Sequence, residues 1–348
     1  MIPAPTIRPK QPRRERWSME RLVHERAIAL GEAIDLSTKK SYGSALNSYL
    51  NFILLHNLPV EPTDDILSLF TVYMSFYIKP DSVDSYLSGI VQQLEPYFPD
   101  VRKARKSLLV HRTLAGCKRM RGTPTMRKWA LTLDDLGQVI QYYSFSVDYD
   151  DLLFVAMLLT GFFALMRLGE ITFPDDKSIQ DWRKVTKRST TSVNDDFYEF
   201  HLPHHKADRY FEGNRIIVRA QQFKHNPLRH FKQYLAKRDS SFPLSSPLWL
   251  TSRGQIPTRS FFINRLKIFF DSSVAGQSMR AGGATSLAEN GVPPSIIQPL
   301  GRWSSNAFLI YIRKSPALIQ AMLYSDRHTT NNRNNRHASP ESLSHVSN

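Results

Sequence analysis

FYEFHLPHHKADRYFEGNRIIVR (197–219) is where the chain changes its periodicity. Two six-residue runs, FYEFHL (197–202) and NRIIVR (214–219), are rich in aromatic and β-branched residues, which suit a pleated, half-buried surface. Glu212-Gly213-Asn214 supplies turn chemistry between them. On either side, apolar residues recur at helical spacing instead. A small β-sheet set among many helices makes a mainly α chain of the α+β class.

Upstream, Ser37 is placed to cap a helix with apolar residues at Tyr42, Leu46, Tyr49, Leu50 and Ile53. Thr63 caps a second, with Ile66, Leu69, Phe70 and Tyr73 on one face. Pro80 ends it, and Ser82 opens a third through Tyr86, Ile90 and Leu94. A basic stretch from Arg102 supplies the fourth helix of a bundle. RMRGTPTMRKWA (119–130) then breaks the period with Gly and Pro and marks a domain boundary. Beyond it, Thr132 with Asp135 has the form of a capping box opening a helix through Val139 and Ile140. Asp150 and Asp151 start a long apolar helix that ends near Arg167. Further helices are expected from Thr258, Arg280, Pro294 and Asn306. The expected organisation is a disordered basic arm (1–16), a helical domain (17–122), a mixed domain (123–324) and a disordered tail (325–348).

With 348 residues, 41% of them hydrophobic, two domains with real cores are possible and wholesale disorder is excluded. A single cysteine, Cys117, excludes a disulfide scaffold and any multi-cysteine metal cluster, and fits a reducing compartment. The most apolar run, Leu152 to Met166, falls short of the roughly 20 residues of a membrane span and is flanked by Asp151 and Arg167. Residues 1–16 hold no apolar signal core, so neither membrane nor secretion is expected.

Charge says more. Against 31 acidic residues stand 46 Lys and Arg, a net +15, which calls for a polyanionic partner. Ten of those cations and no acid fall between Val101 and Lys128. Arg102, Lys103, Arg105, Lys106, Arg112, Lys118, Arg119 and Arg121 are the candidate contacts to nucleic-acid phosphates, the alternative being a solvated face. KQPRRER (10–16) reads as a nuclear import signal or a phosphate-contacting arm.

Five segments carry chemistry. In TGFFALMRLGEI (160–171), Arg167 closes an apolar run three residues before Glu170, either paired with it or facing a cleft. In LPHHKADRYFEGNRIIV (202–218), Lys206 lies between the two strands, able to reach a phosphate, to donate a proton or simply to be solvated. The neighbouring His204 and His205 lack a further ligand at metal spacing, so no metal is expected. In GQSMRAGGATSLAENGV (276–292), Arg280 precedes four small residues that permit close backbone approach. IIQPLGRWSSNAFLIYIRKS (296–315) places Arg302 and Trp303 upstream of Tyr311, and PALIQAMLY (316–324) is a short apolar helix that packs at home or on a neighbour.

Jointly these segments resemble the tyrosine recombinase (phage integrase-like) family of DNA breaking-rejoining enzymes, over roughly residues 18–324. STKKSYGSALNSYLNF and DSVDSYLSGI resemble its helical core-binding (SAM-like) domain. LMRLGEI, RAGGAT and LGRWSSNAFLIYIR look most like its eukaryotic, mobile-element branch. The order Arg, Lys, Arg, then Tyr 31 residues after the second Arg, is more specific than any one motif.

The resemblance implies a site-specific recombinase that uses no metal and no cofactor, acts on double-stranded DNA and clamps the duplex between its domains; DNA as substrate together with the basic motif at 10–16 makes the nucleus the expected location. Tyr311 matches the nucleophile of a 3′-phosphotyrosyl intermediate, Arg167 and Arg280 the phosphate clamp, and Lys206 the general acid. Gln277 stands where the family usually has a histidine and cannot accept the tyrosine proton, which implies reduced activity or a DNA-binding protein that has lost cleavage. The family's other histidine or tryptophan position is filled by Arg302, or by Trp303 with a one-residue offset. A homo-tetramer on two duplexes is implied too, with residues 316–324 exchanged between neighbours.

Overall fold

The computed structural model describes residues 15–124, 127–206, 208, 210–221, 225–305 and 308–309. Asn306, Tyr311, the segment 316–324, the tail 325–348 and all but the last two residues of the basic arm lie outside them. The chain divides into two compact units, Met1–Thr125 and Met126–Asn348.

The first unit is all helical: α1 (Met19–Glu32), α2 (Leu36–Leu55), α3 (Asp64–Met74), α4 (Pro80–Leu94), α5 (Val101–Arg105) and α6 (Leu108–Arg121). Its core is aromatic and aliphatic. Phe70 sits edge-on to Tyr49 and Phe52 at 5.6 and 5.5 Å between ring centres, above Leu67, Leu87, Ile90 and Val110. Removing such side chains from water is the main source of the bundle's stability. Several local expectations shift by a few residues. The cap of α2 is Asp35 rather than Ser37, because its carboxylate accepts the Ser37 amide at 3.0 Å. Pro80 opens α4 instead of closing α3, since its missing N–H costs nothing in a first turn, and Ser82 falls inside that helix. The basic stretch makes two helices, separated where Ser107 caps α6 through the Val110 amide. The mixed-charge sequence of α1 conceals a helix that buries no residue.

In the second unit, α7 (Leu133–Tyr142) opens with the Thr132–Asp135 capping box. Next comes α8 (Tyr149–Phe163), capped by Asp148 and buried along most of its length. Strands β1 (Ser192–Val193), β2 (Phe197–Leu202) and β3 (Asn214–Arg219) form one antiparallel sheet in that order, with Phe200 opposite Ile216. Then follow α9 (Pro227–Ser241), α10 (Arg259–Leu266), α11 (Gln277–Glu289) and α12 (Pro294–Leu300). The fold is mainly α with a small sheet, the α+β class.

Alternation along β2 turns Tyr198, Phe200 and Leu202 inward. Tyr198 stacks on Phe231 of α9 at 3.9 Å, and its hydroxyl meets Thr160 of α8 at 2.7 Å. The sheet is thereby fixed to the helix that leads into Arg167. That helix stops at Phe163, four residues before Arg167, because Leu165 turns left-handed with φ +51°. Arg280 is the fourth residue of α11, not its first.

Candidate active site

Arg167, Arg280 and Arg302 come from three separate stretches and meet at the turn that ends α8. Arg280 is buried, and its Nη1 donates to the Leu165 carbonyl at 2.5 Å while Nη2 donates to the Gly301 carbonyl. Arg302 reaches the same turn from the other side, donating to Leu165 O at 3.2 Å and to Ala164 O at 3.3 Å. Its Nη2 also meets Glu170 at 3.1 Å. Glu170 in turn accepts from the Arg167 guanidinium at 3.0 Å and from the Arg167 amide at 2.9 Å. Glu170 therefore serves two of the three guanidiniums, and backbone carbonyls accept from Arg280 and Arg302, while the buried Nε of Arg302 has no partner among the described residues. A carbonyl occupies a donor without cancelling its charge, so among the described residues these three arginines and Glu170 together carry two positive charges in excess. Burial pushes the pKa of Arg302 down and the charge of Arg167 adds to this, while Glu170 opposes both. An arginine stays ionised under such pressure, and an anion is what would relieve it.

Local backbone chemistry sets this geometry. A Cβ on Gly283 would collide with the carbonyl of Phe162, and one on Gly282 with the carbonyl of Leu131. These two glycines let α11 lie against the end of α8, which brings Arg280 to Leu165. Trp303 lays its ring over the Arg280 guanidinium at 4.0 Å. Gly301 leaves room for that ring, which any Cβ there would strike. Leu165 and Arg302 both hold left-handed backbones, at φ +51° and +55°. Left-handed non-glycine residues are costly and gather where the surrounding structure over-determines them. Gln277 lies exposed at the start of α11, one turn before Arg280.

Lys206 stands apart. It occupies an exposed turn beyond β2, closed by the Asp208 amide on the His205 carbonyl at 2.8 Å. No hydrogen bond or ion pair among the described residues joins it to the arginine cluster. Tyr311 lies outside the described residues, so its distance to the arginines is not part of this geometry. Among the described residues no group of three or more His, Cys, Asp or Glu is arranged to hold a metal, and no helix is long and apolar enough to cross a membrane.

The eight candidate phosphate contacts between Arg102 and Arg121 fall into two sets. Glu95 grips Arg102 through two bonds, of 2.7 and 2.5 Å. Asp84 takes Arg105 at 2.5 Å, and Asp81 and Asp84 share Lys118 at 3.0 and 3.1 Å. Arg121 lies over the ring of Phe76 at 3.8 Å. Lys103, Lys106, Arg112 and Arg119 are exposed and have no partner among the described residues. Acids of α4 and its C-terminal cap thus hold Arg102, Arg105 and Lys118, a pairing hidden in a stretch that contains no acid of its own.

Sequence reasoning gave Glu170 one arginine where it serves two, and it missed the carbonyls of Ala164, Leu165 and Gly301 altogether. Their only trace in the sequence is the run of small residues beside Arg280, which signals close approach without naming its target.

No protein-family model matches the sequence, and no curated protein matches it. Solved structures do. The XerH site-specific recombinase bound to a palindromic difH substrate, in a post-cleavage complex, superposes with a TM-score of 0.58 at 13% identity, covering 82% of this chain and 78% of that one. A lambda integrase fragment, a dimer bound to a COC′ core site, superposes with a TM-score of 0.53 at 13% identity, covering 83% and 93%. The chain has the tyrosine recombinase fold.

Proposed function

We propose that this chain is a site-specific DNA recombinase or integrase of the tyrosine type, of mobile-element origin. The observation that carries this reading is the excess of positive charge where Arg167, Arg280 and Arg302 meet. Such a cluster is suited to the charge that builds on a phosphodiester's nonbridging oxygens during attack.

In the proposed reaction the Tyr311 hydroxyl attacks phosphorus in line with the 5′-oxygen. The O–P bond to tyrosine forms as the bond to the 5′-oxygen breaks, leaving a 3′-phosphotyrosyl link and a 5′-hydroxyl. Lys206 gives the leaving oxygen its proton and recovers one from water. The phenol proton passes to solvent, since Gln277 is not a base. Bond energy is conserved in the ester, and the free 5′-hydroxyl of another strand reverses the step. Trp303 packs on Arg280 and fixes its plane, while Arg302 ties the cluster together. Lys103, Lys106, Arg112 and Arg119 contact phosphates of the duplex. The working form is a homo-tetramer on two duplexes, joined through residues 316–324, and it acts in the nucleus.

Gln277 favours a second reading, a DNA-binding protein of the same fold that no longer cuts. A duplex nicked next to the scissile phosphate separates the two, because the released fragment diffuses away and traps the covalent species. We expect a DNA–protein adduct that Tyr311→Phe abolishes. Binding with no adduct would establish the second reading.

A further inference from the structure

The loop that carries Lys206 is held by an arrangement the proposed chemistry does not use. Phe211, near its far end, keeps a left-handed backbone at φ +57°, which is strained for an aromatic residue. Its ring is stacked with His204 at 4.5 Å and 26°, and the Arg183 guanidinium lies 5.1 Å from the ring centre. Arg183 is itself fixed. Asp181 accepts from its Nε at 3.0 Å, from its Nη2 at 2.9 Å and from its amide at 3.0 Å. The adjoining Trp182 sits edge-on to buried Phe173 at 5.3 Å.

From the core outward the chain of contacts runs Phe173, Trp182, Arg183, Phe211, His204, and Lys206 follows two residues later. Asp208 closes the loop from within. Its carboxylate accepts the amides of Gly213, Tyr210 and Glu212 at 2.9, 3.1 and 3.3 Å. Burial works against that charge, but the three amides and nearby His205 together hold its carboxyl below the usual range.

We propose that Phe211 is a positioning residue for Lys206. Its ring, clamped against His204 and Arg183, fixes the turn on which the lysine stands, and this use accounts for backbone strain on an exposed loop. The inference rests on the general-acid role given to Lys206 above. An exposed loop lysine would otherwise sample many conformations, and a proton donor displaced by about 1 Å can lose on the order of 10² in rate.

The test uses the full chain and two nicked duplexes, one with the natural 5′-oxygen leaving group and one with sulfur in its place. A thiolate leaves without a proton, because a thiol's pKa of about 8.5 lies far below that of an alcohol. Lys206→Ala should slow adduct formation by about 10²–10⁴ on the oxygen substrate and little on sulfur. Phe211→Ala should slow the oxygen substrate by roughly 10- to 10²-fold and recover on sulfur. Phe211→Trp, which keeps an aromatic face, should restore most of the loss. Phe211→Ala cutting the oxygen substrate at the unmutated rate would overturn the proposal. So would a defect equal on both substrates, since the ring would then be acting on something other than the proton donor. No adduct from the unmutated protein on either substrate would remove the reading beneath the inference, and the inference with it.

Discussion

The cations of α5 and α6 and the arginines at the end of α8 are equally basic in the sequence, yet they are held in different ways. In the first unit, Arg102, Arg105 and Lys118 are matched to carboxylates on neighbouring elements, largely at the surface. Such pairs are screened by water and cancel the charge that suggested a phosphate contact. In the second unit, backbone carbonyls take most of the donors and a single carboxylate serves two arginines. Charge is retained there, in a fixed place. What an arginine is paired with, carbonyl or carboxylate, decides whether it remains an anion site.

The strongest way to break this contrast is Arg280→Ala. It strands the Gly301 carbonyl, removes one of the two donors on the Leu165 carbonyl, and should cost about 2–4 kcal/mol in a denaturant titration. Adduct formation should fall by about 10²–10³. Arg102→Ala should do neither, and equal losses from the two would erase the distinction.

A pair of glycines sharpens it next. Gly283→Ala drives a methyl into the Phe162 carbonyl and should destabilise by about 1–3 kcal/mol, with lower cleavage. Gly116→Ala on α6 meets open space and should stabilise by up to about 1 kcal/mol. Thermal melts of both variants read the difference.

On DNA, replacing Lys103, Lys106, Arg112 and Arg119 together by alanine should reduce the slope of log K against log salt by up to about 3.6, at about 0.9 per phosphate lost. Arg102→Ala with Lys118→Ala should leave the slope nearly as it was. An unchanged slope in the fourfold variant would mean that this face meets only solvent. The smallest effect expected is on stability: Arg102→Ala should leave the melting temperature nearly unchanged, since its pair with Glu95 is largely exposed.

Much of the architecture was legible because it is local. The FYEFHL and NRIIVR runs form β2 and β3 at their expected bounds, and the Thr63 and Thr132 caps fall where their side chains can reach an amide three residues on. Pro80 was misplaced because the same residue ends one helix or begins the next, and only the tertiary course of the backbone chooses. α9 was missed because its pattern is dense in Lys and Arg. One of them, Arg238, is buried and bonded to the carbonyls of Phe242 and Pro247, which no periodicity reveals.

The candidate site was legible as residue types and hidden as partners. Arg167, Glu170 and Arg280 were singled out by unusual neighbours. That Arg302 would cross to Glu170 and Leu165 depends on two left-handed turns far apart in the chain, and neither Leu165 nor Arg302 is a residue type that advertises one.

By itself the amino-acid order determined the class of fold, the placement of the strands, the threonine caps at Thr63, Thr132 and Thr258 and the positive balance, because each follows from spacing and side-chain chemistry within a few residues. Tertiary structure alone decided which cations are neutralised. Pairing depends on which groups folding brings within about 3 Å, at separations that run from 7 positions for Arg102 and Glu95 to 132 for Arg302 and Glu170.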